Sequence, residues 1–183
     1  TERNLVKNSG GYSAFRTNLY DEYDFRAPFA FNTVGGATYT RELTTEWATI
    51  ALPFNLNVEA AGSPEIYQLT AVDAEKMVFT KVESGTIAAG NVILYRNQDL
   101  GETVLKGNNI AQTAEGFNIQ PLAGVDGWFT AQSFTSRVID DVTTDPVLKD
   151  YEVYGVQANK FIHATKKVTL KPFRAFFLAK KGS

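Results

Sequence analysis

Hydrophobic positions in this chain come in short runs, each closed by Gly, Pro, Asn or Asp. The densest is Trp47-Ala-Thr-Ile-Ala-Leu-Pro-Phe54, with six of its eight positions apolar. That length and density predict a strand buried on both faces, ending at Pro53, which has no N–H for a ladder. Leu170-Lys-Pro-Phe-Arg-Ala-Phe-Phe-Leu178 repeats the pattern near the C-terminus. These two runs are expected to lie at the centre, with the remaining chain packed around them.

Other runs follow the same rule. Residues 37–43 are β-branched and aromatic, and residues 66–72 and 77–82 flank a polar turn, which predicts a hairpin. Residues 91–96, 128–134, 151–154 and 160–163 add further strands, the last two joined by a turn over 155–159. Residues 25–31 alternate loosely, with Pro28 marking an edge strand. Leu5-Val6 starts a short strand, and Gly35-Gly36 is a turn. Residues 99–113 are more polar, and Gly101, Gly107 and Asn108-Asn109 are turn signals there. Residues 140–150 form a gap rich in Asp and Thr.

Strand signals thus recur roughly every 8 to 15 residues, and no stretch keeps an amphipathic helical period. The pattern predicts an all-β fold, an antiparallel β-sandwich, jelly-roll-like, of about ten or more short strands. It is expected to be a single domain over 1–183, with 140–150 as the weakest boundary.

Composition sharpens this. Among 183 residues, 13% are aromatic, with thirteen Phe and eight Tyr, which favours strands. There is no cysteine, which removes disulfides, thiolate metal sites and a cysteine nucleophile. A net charge of −2 gives no drive toward nucleic acid or an anionic membrane. No apolar run approaches the ~20 residues of a membrane-spanning helix. The chain opens on Thr1 without a visible signal peptide and reads as a processed or trimmed piece.

Candidate chemistry is sparse. His163 is the only histidine, so a triad would need it and a multi-histidine metal site is impossible. No Gly-x-Ser-x-Gly elbow accompanies it. Asp140, Asp141 and Asp145 are candidate calcium ligands, and with Asp150 or Glu152 they are the raw material of a glycosidase pair; a hydrated turn is the default. Asp21, Glu22 and Asp24 lack EF-hand spacing and read as a solvated turn. Trp128, Tyr12, Tyr20 and Tyr23 stand in polar, Gly-rich surroundings and are candidate sugar-stacking rings, against a core role for most aromatics. Residues 153–183 hold seven basic and no acidic residues. Those within 171–180, Arg174 included, are expected on an outward face or protected edge.

Ala37-Thr-Tyr-Thr-Arg41, Trp47-Ala-Thr-Ile-Ala-Leu-Pro-Phe54 and Thr169-Leu-Lys-Pro-Phe-Arg-Ala-Phe-Phe177 together resemble the "atYtR … WxTicLPF … PfRAYf" signature of surface and secreted proteins from gut Bacteroidetes. Tyr67-Gln-Leu-Thr-Ala-Val72 and Ile87-Ala-Ala-Gly-Asn-Val-Ile-Leu94 resemble later strands of that family, and the likeness spans about residues 24–180. Ala51 stands where Cys is common, and Asn91-Val92 replace Pro-Tyr. The resemblance implies an exported β-rich module and carries no catalytic residues. The expectation is a non-catalytic extracellular or outer-surface module with an adhesive or structural role, not an enzyme. It would have no cofactor, no bound metal and no nucleic acid, and a host or bacterial surface glycan or protein as partner. A carbohydrate-binding module is the alternative, and a carboxylate-dependent glycoside hydrolase ranks below both.

Overall fold

The computed structural model describes residues 6–27, 29–43, 45–59, 64–73, 76–97, 101–110 and 118–182. Nineteen strands and no helix form there. In the first half they are β1 (Val6–Asn8), β2 (Gly11–Ala14), β3 (Thr17–Tyr20), β4 (Asn32–Thr33), β5 (Ala37–Leu43), β6 (Ala48–Ala51), β7 (Phe54–Val58), β8 (Glu65–Val72), β9 (Met77–Lys81), β10 (Gly85–Ile87) and β11 (Val92–Arg96). Then come β12 (Gly101–Ile110), β13 (Asn118–Pro121), β14 (Trp128–Ser133), β15 (Arg137–Ile139), β16 (Tyr151–Gln157), β17 (Lys160–Ala164), β18 (Val168–Leu170) and β19 (Arg174–Lys180). The fold is therefore all-β and sandwich-like.

Three sheets carry it. Sheet I has the order β10-β7-β12-β5-β3, sheet II β6-β11-β8-β9, and sheet III β13-β14-β19-β16-β17. A ribbon, β1-β2-β4, and a pair, β15-β18, complete it. Pairing is antiparallel apart from β2 with β4 and β3 with β5. The predicted hairpin is β8–β9, with a register shift between Leu69 and Ala71.

Because successive side chains on a strand face opposite ways, a strand buried on both sides feeds two cores. In β6, Ile50 joins the core shared with Tyr39, Phe54 and Leu105 of sheet I, while Ala51 joins Leu94, Ala175 and Phe177 between sheets II and III. β19 does the same: Ala175 and Phe177 face sheet II, whereas Phe176 and Leu178 enter a third core with Ala131, Leu170, Val142 and Leu148. Phe173, just before β19, reaches back into the first core. The two runs expected at the centre do lie there, and they touch. The Ala51 N–H donates to the Phe173 carbonyl at 3.0 Å, and the Thr49 hydroxyl donates to the Ala175 carbonyl at 3.0 Å. Full burial of a side chain such as Phe177 is worth ~1.5–3 kcal/mol.

Four local expectations need correction. The polar stretch after residue 100 holds the longest strand, β12, with Thr103, Leu105 and Gly107 buried in alternation. Gly107 is no turn: a Cβ there would collide with the Asn55 carbonyl, so glycine allows β7 to approach. The bend falls at Asn109, which has φ 58° and sits in the register shift between Asn108 and Ile110. Of residues 25–31, only Phe31 makes a bridge, to Ile110, and the rest of those described are not in a strand; Pro28 lies outside the described residues. β16 continues through Gly155 to Gln157, and the turn narrows to Ala158-Asn159, both left-handed. Finally, residues 140–150 form consecutive turns, yet Val142 and Leu148 are fully buried.

Candidate functional site

The densest polar constellation is inside the fold. Asp21 directly follows β3, and its N–H donates to the Thr40 carbonyl at 3.1 Å. Its carboxylate meets the Arg174 guanidinium twice, Oδ1 to Nη1 at 2.6 Å and Oδ2 to Nη2 at 2.8 Å. The Tyr39 hydroxyl donates to Asp21 Oδ1 at 2.5 Å and accepts from Arg174 Nη1 at 3.2 Å. Arg41 Nη1 donates to the Tyr95 hydroxyl at 2.9 Å, with the guanidinium 5.5 Å from the Tyr95 ring centre. Arg41 Nε is buried 3.7 Å from Asp21 Oδ2, close enough for an ion pair but too far for a hydrogen bond, and it makes no hydrogen bond among the described residues.

Burial pushes the Asp21 carboxyl up, but hydrogen bonding and charge from Arg174, with help from Tyr39 and Arg41, hold it below the ordinary aspartate value. Burial pushes the Tyr39 and Tyr95 phenols up, so both stay neutral at physiological pH. Two guanidiniums, Arg41 and Arg174, therefore share one carboxylate, Asp21, and the cluster carries an excess of one positive charge.

Asp21 was expected in a solvated turn, and Arg174 on an outward face or edge. Both are corrected: the side chains are only 18% and 12% exposed. Lys171 and Lys180, by contrast, are exposed. The signal available in the sequence was Arg174 itself, a charge inside a run of core residues, which demands a partner. Backbone strain helps to present it. Phe173 has φ 60° although it is a fully buried aromatic, and Tyr39 meets it edge to face with ring centres 5.0 Å apart. The motif residues Tyr39, Arg41 and Arg174, from two distant stretches, thus converge on one ion pair.

Beside this cluster opens a recess of about 210 Å³, lined by Arg41, Glu46, Trp47, Thr49, Gln157 and Arg174 among others. Trp47 is fixed from three sides. Its backbone N–H donates to Asn159 Oδ1 at 2.8 Å, its ring meets Tyr67 edge-on, and the Arg96 guanidinium lies 4.6 Å from the ring centre. Arg96 is held in turn by Glu65 at 2.7 Å.

A second feature runs across sheet III. Trp128 on β14 lies near-parallel to Tyr154 on β16, with centres 5.7 Å apart, and Tyr154 near-parallel to His163 on β17 at 5.2 Å. His163 Nε2 is 2.5 Å from Glu152 Oε2. Beyond them Phe161 stacks on Phe79 of β9. Trp128 and Tyr154 are half-buried, whereas Phe161 and His163 are exposed. His163 shares its face with Phe161, as their spacing implied, and its neighbours are Glu152 and Tyr154.

The other candidate rings lie elsewhere. Tyr20 and Tyr23 are exposed but perpendicular, at 83° and 6.3 Å, so they offer no common plane. Tyr12 is half-buried with one face stacked on Phe29 at 3.8 Å. The carboxylates of 140–150 serve their own backbone. Asp141 Oδ1 accepts from the Thr143 N–H and hydroxyl at 2.8 and 2.6 Å, and Asp145 Oδ1 from the Val147 and Leu148 N–H groups at 2.9 and 3.1 Å. Asp140 pairs with Lys167 at 3.4 Å. Among the described residues no three metal-ligating side chains gather, and no helix is long and apolar enough to cross a membrane.

No family model, curated protein or solved structure matches this chain.

Proposed function

We propose that this chain is a non-catalytic recognition module of an extracellular or outer-surface protein, acting in adhesion, with a surface glycan as its partner. The observation that carries this is the band of rings Trp128, Tyr154 and His163, laid across three strands beside the Glu152 carboxylate. Near-parallel rings next to a hydrogen-bonding carboxylate suit a sugar, which has apolar faces and a polar rim. The likeness to gut Bacteroidetes surface proteins supports the location. The buried Asp21–Arg174 ion pair is occupied with holding strands together, which fits a scaffold that displays a surface.

The test is a glycan and extracellular-matrix array probed with the whole chain and with Trp128→Ala and Tyr154→Ala. Binding to at least one glycan, reduced tenfold or more in both variants, is expected. No binding on either array, or binding unaffected by both substitutions, overturns the reading.

A further inference from the structure

We propose that the Asp126–Gly127 step is a site of spontaneous backbone modification, at which aspartate rearranges to isoaspartate and displaces Trp128. It is the chain's one Asp-Gly step, and no Asn-Gly step occurs. Three observations carry this. First, the step lies at the surface: Asp126 is exposed in the turn between β13 and β14. Second, both reacting groups are free. Among the described residues neither the Gly127 N–H nor the Asp126 carboxylate makes a hydrogen bond or ion pair. Asp141 and Asp145 differ, since backbone N–H groups tie their carboxylates down. Third, Gly127 carries no Cβ to crowd the approach of its nitrogen.

The reaction balances without an oxidant or a cofactor. The Gly127 nitrogen attacks Asp126 Cγ and gives up its proton; a C–N bond forms, and one carboxyl oxygen leaves as water. The product is a five-membered succinimide ring, which water reopens at either of its carbonyls. Opening at Cγ restores aspartate. Opening at the main-chain carbonyl leaves the chain running through the former side chain, one methylene longer. The turn has no slack for that methylene. The Trp128 N–H donates to the Val125 carbonyl at 3.3 Å, the Leu122 N–H to the Trp128 carbonyl at 2.9 Å, and the Lys180 N–H to the Gly127 carbonyl at 3.0 Å. These bonds set where β14 begins, and with it the stack of Trp128 on Tyr154.

The whole chain is aged at neutral pH and body temperature, folded in buffer and unfolded in urea, and isoaspartate is located by methyltransferase labelling and peptide mass spectrometry. Isoaspartate is expected first at Asp126, at a rate in the folded chain within tenfold of that in urea. Slowing by more than tenfold on folding, or earlier appearance at another aspartate, overturns the proposal. In the same folded samples the indole N–H resonance of Trp128 is expected to split, the new signal growing in step with isoaspartate; an unsplit resonance in modified chain overturns the effect on Trp128. Asp126→Glu would have to close a six-membered ring. It is expected to slow the reaction at this position at least tenfold and to keep the original indole signal, and an unchanged rate overturns the succinimide route. The modification is read directly, so it stands or falls apart from the glycan array.

Discussion

Asp21 and Arg174 lie 153 residues apart and meet in an ion pair, with Nη1–Oδ1 at 2.6 Å and an Nη2–H hydrogen bond to Oδ2 at 2.8 Å, closing strand β3 against the C-terminal strand β19. Both side chains are mostly buried, so the pair acts where water screens little. Asp21→Asn would keep the shape but leave Arg41 and Arg174 facing each other without a counter-charge. Breaking one partner of such a pair costs about 3–5 kcal/mol. Chemical denaturation should show a loss of that order with an unchanged slope. A loss below about 1 kcal/mol would mean that the pair is no more than a surface contact.

The same cluster sets the pH limits of stability. The folded Asp21 carboxyl lies below its ordinary value of 3.8. Its contribution is therefore complete above that value and is lost as pH falls through the lower folded value. The Tyr39 phenol is shifted the other way, above the ordinary 10.0, chiefly by burial. The unfolded chain ionises first on that side, so stability falls as pH rises beyond about 10. Thermal melts from pH 2 to 11 should show a plateau with a drop at each end. In Asp21→Asn the acid-side drop should shrink.

Strand positions were largely legible because Gly, Pro and Asn mark their ends in the chain itself. β5, β8, β9 and β11 lie within a residue or so of where patterning puts them, and both central runs feed two cores as their density implied. Long-range polar pairing was not legible. Asp21 sits among Tyr and Glu residues that look like any hydrated turn, and the groups that neutralise it are contributed by β5 and β19. Residues 140–150 hid Val142 and Leu148 inside an acidic stretch. Only the structure shows Asp141 and Asp145 folding that stretch on itself, with the two apolar side chains entering the third core. Tyr154, the middle ring of the band, was legible as a strand residue but not as the neighbour of Trp128, because β19 lies between their strands.

Gly107 separates two meanings of a glycine in a strand. A Cβ there would overlap the Asn55 carbonyl and crowd the Phe54 ring, and neither can move without parting β7 from β12. Gly107→Ala should cost at least the upper part of the ~1–3 kcal/mol typical of overpacking. Gly155, in β16, is the contrast: a Cβ would meet only the Phe176 ring, at 3.7 Å, an ordinary contact. Gly155→Ala should be neutral or stabilise by up to about 1 kcal/mol through the unfolded chain. Denaturation of the two variants in parallel checks the distinction; equal losses would refute it.

Among the described residues, Gln132 is the least satisfied of the interior. It is 1% exposed on β14, paired in register with Ala175, and neither atom of its amide finds a hydrogen bond among the described residues. A buried polar group left without a partner costs about 1–3 kcal/mol. The neighbouring surface is apolar, formed by Ala175 and Phe177 opposite sheet II. Replacing the amide by the thioether of methionine keeps the length of the side chain and removes that cost, since methionine adapts to irregular space. Gln132→Met should therefore stabilise the fold by about 1 kcal/mol or more, seen as a higher denaturation midpoint. A marked loss of stability would instead show that the amide is satisfied by an ordered water. That water would then belong to the contact between sheets II and III, where the two central strands meet.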